Sequence, residues 1–155
     1  MYELKGIPMP PSMNNSYPTS KWGKRFKSRE LLDWESRFNL WSWENRNYIV
    51  TLKDWFSIRR PGFGISLDCT YYFTKSRIIC LNGLPKKLDL DNRIKHLLDS
   101  IMKLIDIDDS WIWSLKFCKA INQESHIGKE DTCSVVIEWV DTNSMSAPLC
   151  DYRAL

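Results

Sequence analysis

The clearest strand pattern in the chain lies at residues 63 to 73, where Phe63, Ile65, Leu67, Cys69, Tyr71 and Phe73 alternate with Gly64, Ser66, Asp68, Thr70 and Tyr72. A period of two puts all six apolar side chains on one face of a strand, an arrangement that a helix cannot use. Two other stretches carry the helical period. Leu31, Trp34, Phe38 and Trp41 recur at spacings of three and four and predict a helix capped by Ser28 and running to about residue 47. Ile94, Leu97, Leu98, Ile101, Met102 and Ile105 give a second helix, from about Asn92 to Leu104, with one apolar face. Shorter apolar runs predict strands at 2 to 7, at Ile78 to Leu81 as the return partner of the long strand, near 111 to 121, and near 132 to 140. Residues 8 to 18, with prolines at 8, 10, 11 and 18, read as a rigid loop that excludes helix. The order strand, helix, two strands, helix, two strands implies an α+β fold: a mixed β-sheet with two main helices packed on it.

At 155 residues the chain is long enough for a core without staples. It reads as one domain over residues 1–140, with a peripheral or mobile tail at 141–155 that has no period. No apolar run reaches the length of a membrane span, and the N-terminus lacks the basic and apolar regions of a signal peptide. A soluble intracellular protein with no membrane partner is expected. Five cysteines, at 69, 80, 118, 133 and 150, form an odd set without a Cys-x-x-Cys pair, so reduced core thiols are expected. His96 and His126 do not have the spacing of zinc ligands. Trp34, Trp41 and Trp139 are assigned to the core. The net charge of +3 is small but unevenly spread. Lys21, Lys24, Arg25, Lys27 and Arg29 crowd around Trp22 and Phe26, and Arg59-Arg60 and Lys86-Lys87 make two smaller clusters. Such clusters are commonly plain solvated surface. Here Lys86-Lys87 directly precede an acidic motif, as a site for a phosphate backbone would require, and Trp22 is placed where it would stack on an exposed base.

That motif is Asp89-Leu90-Asp91-Asn92-Arg93-Ile94-Lys95, followed beyond the helix by Asp108-Asp109. Hard cations such as Mg²⁺ take oxygen ligands and keep several waters, so a metal-dependent phosphodiesterase needs little more than converging carboxylates and a cation facing the phosphate. A plainer reading is available. Asp91 would be an ordinary N-cap, and Asp91, Lys95, Asp99 and Lys103 would form a salt-bridged stripe at i, i+4 spacing. Asp89 argues for the metal, because in an extended approach residues two apart point the same way and capping requires only one acid.

With Asp99 included, these residues resemble the RusA-type Holliday-junction resolvases, endodeoxyribonucleases of bacteria and their phages. That family has an Asp-x-Asp-Asn-x-x-Lys motif, a later Asp and an Asp-Asp pair. Pro10-Pro11-Ser12-Met13-Asn14-Asn15-Ser16-Tyr17 and Arg25-Phe26-Lys27-Ser28 are similar to the loop and first-helix entry of many members. The resemblance implies a RusA-like fold, metal-binding catalytic roles for Asp89, Asp91 and Asp109, and Lys95 assisting at the phosphate. It also implies a homodimer that resolves four-way DNA junctions by paired nicks with Mg²⁺ or Mn²⁺, in the cytoplasm of a bacterial or phage-infected cell. DNA contacts are expected from Lys21, Lys24, Arg25, Lys27, Lys86 and Lys87. Spacing varies in this part of the family, so Asp108 stays open as the third ligand in place of Asp109.

Two alternatives remain at this level: a nuclease for other branched DNA such as flaps and forks, and a non-catalytic branched-DNA binding protein whose acids merely cap a helix. No P-loop is present, which argues against ATP-driven remodelling. The third acid poses a distance problem. A helix from Asn92 to Leu104 is roughly 20 Å long, and five extended residues reach only about 17 Å, so a return of Asp109 to Asp89 and Asp91 within one chain is barely possible. A helix packed antiparallel on its symmetry mate would bring the two ends together across a dimer.

Overall fold

The alternating stretch becomes a strand buried on one face beneath helices, and the rest of the sheet is arranged around it. The computed structural model describes residues 1–88, 90–122 and 130–144, without the side chain of residue 15. In chain order the elements are strand β1 (Tyr2–Pro8), a one-turn helix α1 (Met13–Ser16), helices α2 (Arg29–Glu44) and α3 (Arg46–Ser57), strand β2 (Phe63–Phe73), and a one-turn helix α4 (Lys75–Ile78). Helix α5 (Asp91–Ile105), a 3-10 turn (Asp109–Trp111) and strands β3 (Ile112–Ile121) and β4 (Thr132–Asp141) follow. The sheet order is β1-β4-β2-β3. β4 is antiparallel to both β1 and β2, whereas β2 and β3 run parallel. The fold is therefore α+β with a mixed sheet, as the pattern implies.

Parallel strands cannot be joined by a tight turn, so the chain between β2 and β3 must cross over, and α5 is that crossover. Leu97, Ile101, Met102 and Ile105 of α5 are buried together with Ile65, Leu67, Cys69, Tyr71 and Phe73 of β2. Helix α2 is tied to the edge strand β1 by two indoles, Trp34 Nε1 donating to the Pro8 carbonyl at 3.0 Å and Trp41 Nε1 to the Lys5 carbonyl at 2.9 Å. Ser28 caps α2 as expected, its side chain accepting from the Leu31 amide; losing such a cap costs about 1 kcal/mol. At the start of β3 the register with β2 shifts between Ile65 and Ser66. A Cβ on Gly64 would lie 2.0 Å from the Trp113 ring, so only glycine admits that indole and the strand start that it fixes.

Several expectations are corrected. The loop at 8–18 contains helix α1, which forms because its prolines flank the turn rather than interrupt it. Ile78 to Leu81 is no return strand: Ile78 ends α4, and Ile79 makes one isolated bridge to Pro85. β2 finds its partners in β3 and β4 instead, and its whole length is used. The helix expected to reach residue 47 ends at Glu44, where Asn45 turns back with both its backbone N–H and its Nδ2 on the Trp41 carbonyl. Helix α3 then starts, burying Ile49, Leu52 and Phe56 at spacings of three and four. Trp34 and Trp41 are buried, while Trp139 is only partly so. Cys69 and Cys133 are buried free thiols, but Cys80 is half-buried and Cys118 exposed, so the thiols are not uniformly core. Cys150, His126 and positions 145–155 of the expected tail lie outside the described residues.

Candidate active site

Helix α5 starts without a side-chain cap. Its N-cap is Leu90, in helical conformation at φ −80°, ψ −37°, and Asp91 is the first residue of the helix proper. The N-cap role considered for Asp91 is therefore not the one it has. A carboxylate in the first turn is favoured by the helix dipole without needing any one partner. Asp91 is exposed, and among the described residues its carboxylate has neither hydrogen bond nor ion pair. Lys95, one turn on, is exposed on the same side. The salt-bridged stripe does not form either, since no ion pair within 4.0 Å links Asp91, Lys95, Asp99 or Lys103 to any described residue. Asp89, the other half of the expected pair, lies outside the described residues.

Two bonds fasten the N-terminal loop to this half of α5. Arg93 donates to the Pro10 carbonyl at 2.5 Å, and His96 Nε2 lies 2.7 Å from Ser16 Oγ. The Ser16 hydroxyl gives its one proton to the Ser12 carbonyl at 2.8 Å, so it must accept from His96, which fixes the Nε2–H tautomer of a neutral ring. Burial agrees, holding the His96 pKa below its ordinary value. The segment Pro10 to Tyr17 and the stretch Arg93 to His96, far apart in sequence, thus meet in space.

From this base the chain makes an excursion closed by the Ser28 amide on the Ser16 carbonyl at 2.8 Å. At its tip Thr19 bridges Arg25. Lys21, Lys24 and Arg25 are exposed with no carboxylate partner among the described residues. Lys27 differs, because its ammonium holds Glu35 at 2.7 Å. Trp22 is 79% exposed, with the Lys21 ammonium 5.1 Å from its ring centre. A second hairpin, closed by Ile79 and Pro85, leads towards α5. There Lys86 donates to the Ser76 carbonyl at 2.6 Å, while Lys87 is exposed. The Lys119 ammonium of β3 anchors the Leu88 carbonyl just before the motif.

The acids at the far end of α5 are arranged differently. Asp108 caps the 3-10 turn, accepting from the Ser110 amide at 2.9 Å, and its bonds with Ser110, side chain first and backbone second, hold its pKa below the usual carboxylate value. Asp109 is exposed, with no side-chain partner among the described residues. A 15-residue helix separates it from Asp91, about 22 Å at 1.5 Å per residue. The two therefore do not converge within one chain, and among the described residues no three His, Cys, Asp or Glu come together as a metal site. In donor chemistry Asp91 suits a hard divalent cation, since its carboxylate oxygens are not consumed by the protein. Asp109 of the same chain cannot join it there.

Sequence reasoning passed over Arg93, although it is part of the motif. The signal was available: it stands four residues before buried Leu97, at a core-facing position where an unpaired charge is unusual.

Among the described residues no helix is long and apolar enough to cross a membrane. Compared with known families, the chain matches Endodeoxyribonuclease RusA over residues 8–128, from the N-terminal loop through β3. No curated protein matches it.

Proposed function

Because the chain belongs to the RusA family of endodeoxyribonucleases, we propose that it hydrolyses phosphodiester bonds in branched DNA, four-way junctions foremost, with Asp89, Asp91 and Asp109 as carboxylate ligands for Mg²⁺ or Mn²⁺. The observation that carries this reading is Asp91 itself. It is the first residue of α5 rather than its cap, pairs with nothing among the described residues, and shares an exposed stripe with Lys95.

A divalent ion bound there would supply Lewis acidity and would lower the pKa of water enough for it to give up a proton to solvent and attack phosphorus. The protein's own groups do the remainder. Lys95 neutralises a nonbridging oxygen as charge builds in the transition state. Lys21, Lys24, Arg25 and Lys87 hold flanking phosphates without reading sequence, and Trp22 stacks on a base unpaired at the branch. Asp108 keeps the start of β3 in place, which favours Asp109 as the third ligand.

The separation of Asp91 from Asp109 along α5 supports a homodimer in which each site takes Asp89, Asp91 and Lys95 from one chain and Asp109 from the other. Two such sites would deliver paired nicks. The test is a labelled synthetic four-way junction incubated with Mg²⁺, with Mn²⁺ and with chelator, beside flap and fork substrates. Metal-dependent nicking of the junction in preference to the others is expected. Nicking that persists in chelator, or none on any branched substrate, would sink the proposal.

A further inference from the structure

Beneath the start of α5, at the end of the sheet, lies a cavity of about 310 Å³ that the reading above does not use. Three guanidiniums from three elements line it, Arg37 of α2, Arg77 of α4 and Arg93 of α5, together with Glu30, Glu130 and Asp131. The lining is formally neutral, but its pairing is uneven. Asp131, whose side chain is 5% exposed, is fully engaged: it accepts from the Thr74 amide at 2.9 Å and from Arg77. Arg37 and Glu130 approach only to 3.7 Å, with both side chains largely in solvent, so that contact is cheap to exchange. Arg93 has no carboxylate within 4.0 Å among the described residues, and of its five donors the one bond made there goes to the Pro10 carbonyl.

Arg93 is also half-buried beside another cation. An arginine cannot shed its proton to relieve this. An anion entering the cavity would. Planar guanidinium forks match phosphate oxygens in pairs, which favours a phosphate over a simple halide.

We propose that this cavity binds a backbone phosphate of the DNA substrate, distinct from the scissile one, with Arg93 and Arg37 as its ligands and Arg77 remaining on Asp131. That the phosphate belongs to DNA rests on the nuclease reading. Arg93 lies two residues after Asp91, about 200° around the helix, so the cavity and the Asp91–Lys95 stripe flank the first turn of α5 on opposite sides. A strand crossing the helix end would present one phosphate to each.

The test is run in chelator, so that it does not depend on cleavage. Inorganic phosphate is titrated into wild-type protein and Arg93→Gln while the arginine Nε–H resonances are followed. The salt dependence of four-way-junction binding is measured on the same proteins and on Arg93→Lys, with melting curves to establish folding. Saturable phosphate shifts at Arg93 and Arg37 are expected, absent in Arg93→Gln, together with a salt slope lower by about one unit in Arg93→Gln and restored by Arg93→Lys. No saturable response, or an equal response at Arg37 in Arg93→Gln, overturns the site. Phosphate shifts with an unchanged junction slope overturn the assignment to DNA and leave a site for free phosphate. If Arg93→Gln fails to fold, Arg37→Gln at its exposed position carries the same comparison. Failure of the nuclease reading shows separately, as absence of cleavage when Mg²⁺ is restored.

Discussion

The two ends of α5 carry similar charges and use them in opposite ways. At the C-terminal end Asp106 adopts a left-handed conformation at φ 60° to close the helix, and it pairs with Lys53 at 3.6 Å while its carbonyl accepts from Arg59. Asp108, two residues on, caps the next turn. Only Asp109 is left without a structural task. At the N-terminal end the helix starts with no side-chain cap, and Asp91 is spared. An acid at a helix end is thus no sign of chemistry by itself. What separates a ligand from a cap is whether its oxygens are already consumed by the protein, and by that measure Asp91 and Asp109 stand apart from Asp106 and Asp108.

The comparison breaks if the spared acids prove dispensable. Asp91→Asn and Asp109→Asn should each lower junction cleavage by at least about 10³-fold, the upper end of what a single electrostatic donor contributes, with folding and junction binding retained. Asp108→Ala should keep cleavage and lose about 1 kcal/mol of stability, because its task is a cap. Cleavage assays and melting curves on the three proteins decide this, and full activity in Asp91→Asn would remove the metal-site proposal. Mixing Asp91→Asn with Asp109→Asn subunits sharpens it. A shared site leaves mixed dimers with one intact and one doubly damaged centre, so nicking should return; a site contained in one chain leaves both centres damaged. Verified mixed dimers that never nick would count against sharing, provided that one working centre can act alone.

Lys95 comes next in size. If it contacts the phosphate in the transition state, Lys95→Ala should lower the single-turnover rate on saturating junction by about 10²-fold while changing affinity little. A variant with weaker binding and an intact rate would make Lys95 a backbone contact only.

The contrast between the ends of α5 also marks how far the sequence could be read. The period-two pattern of β2 and the apolar face of α5 were legible because each buries a whole face against its neighbours, and a residue shifted from its place would be exposed to water. The length of α5 was close enough to separate Asp91 from Asp109 before any coordinates. Helix α3 was missed although Ile49, Leu52 and Phe56 carry the helical spacing; the break that separates it from α2 is a single residue, Asn45, with no glycine or proline to announce it. The apolar run Ile78 to Leu81 misled in the opposite way. Short apolar runs do not reveal their period, and this one is divided between a helical turn and the base of a hairpin. Which acids are consumed was not legible at all, since the cap made by Asp108 and the absence of one at Asp91 depend on backbone conformation.

A smaller effect is expected from the basic excursion, where the structure distinguishes residues that the sequence groups together. Lys24 and Arg25 have no carboxylate partner among the described residues, whereas Lys27 is held by Glu35. Replacing Lys24 and Arg25 with alanine should flatten the salt dependence of junction binding by about one unit for each phosphate that is no longer neutralised. Adding Lys27→Ala should change the slope little. An unchanged slope in the double variant would move the DNA towards Lys86 and Lys87.

The smallest expected effect is a pH dependence at the N-terminal half of α5, which is fastened through a histidine, a side chain whose charge changes near neutral pH. His96 is neutral and donates from Nε2 to Ser16, and burial holds its pKa below the ordinary 6.5. The unfolded chain therefore takes up a proton at a pH where the folded chain still refuses it. Stability is fully present above about pH 6.5, falls as the pH drops towards the lowered folded value, and levels off once both states are protonated. Melting temperatures measured from pH 7.5 down to about pH 5 should fall more steeply for wild type than for His96→Asn, which has no proton to gain in that window. Because His96 and Arg93 hold the same loop, junction affinity in chelator should weaken over the same window in wild type and less so in the variant. Parallel melting profiles in the two proteins would show that His96 titrates alike in the folded and unfolded chains, and that the loop is held by Arg93 and packing instead.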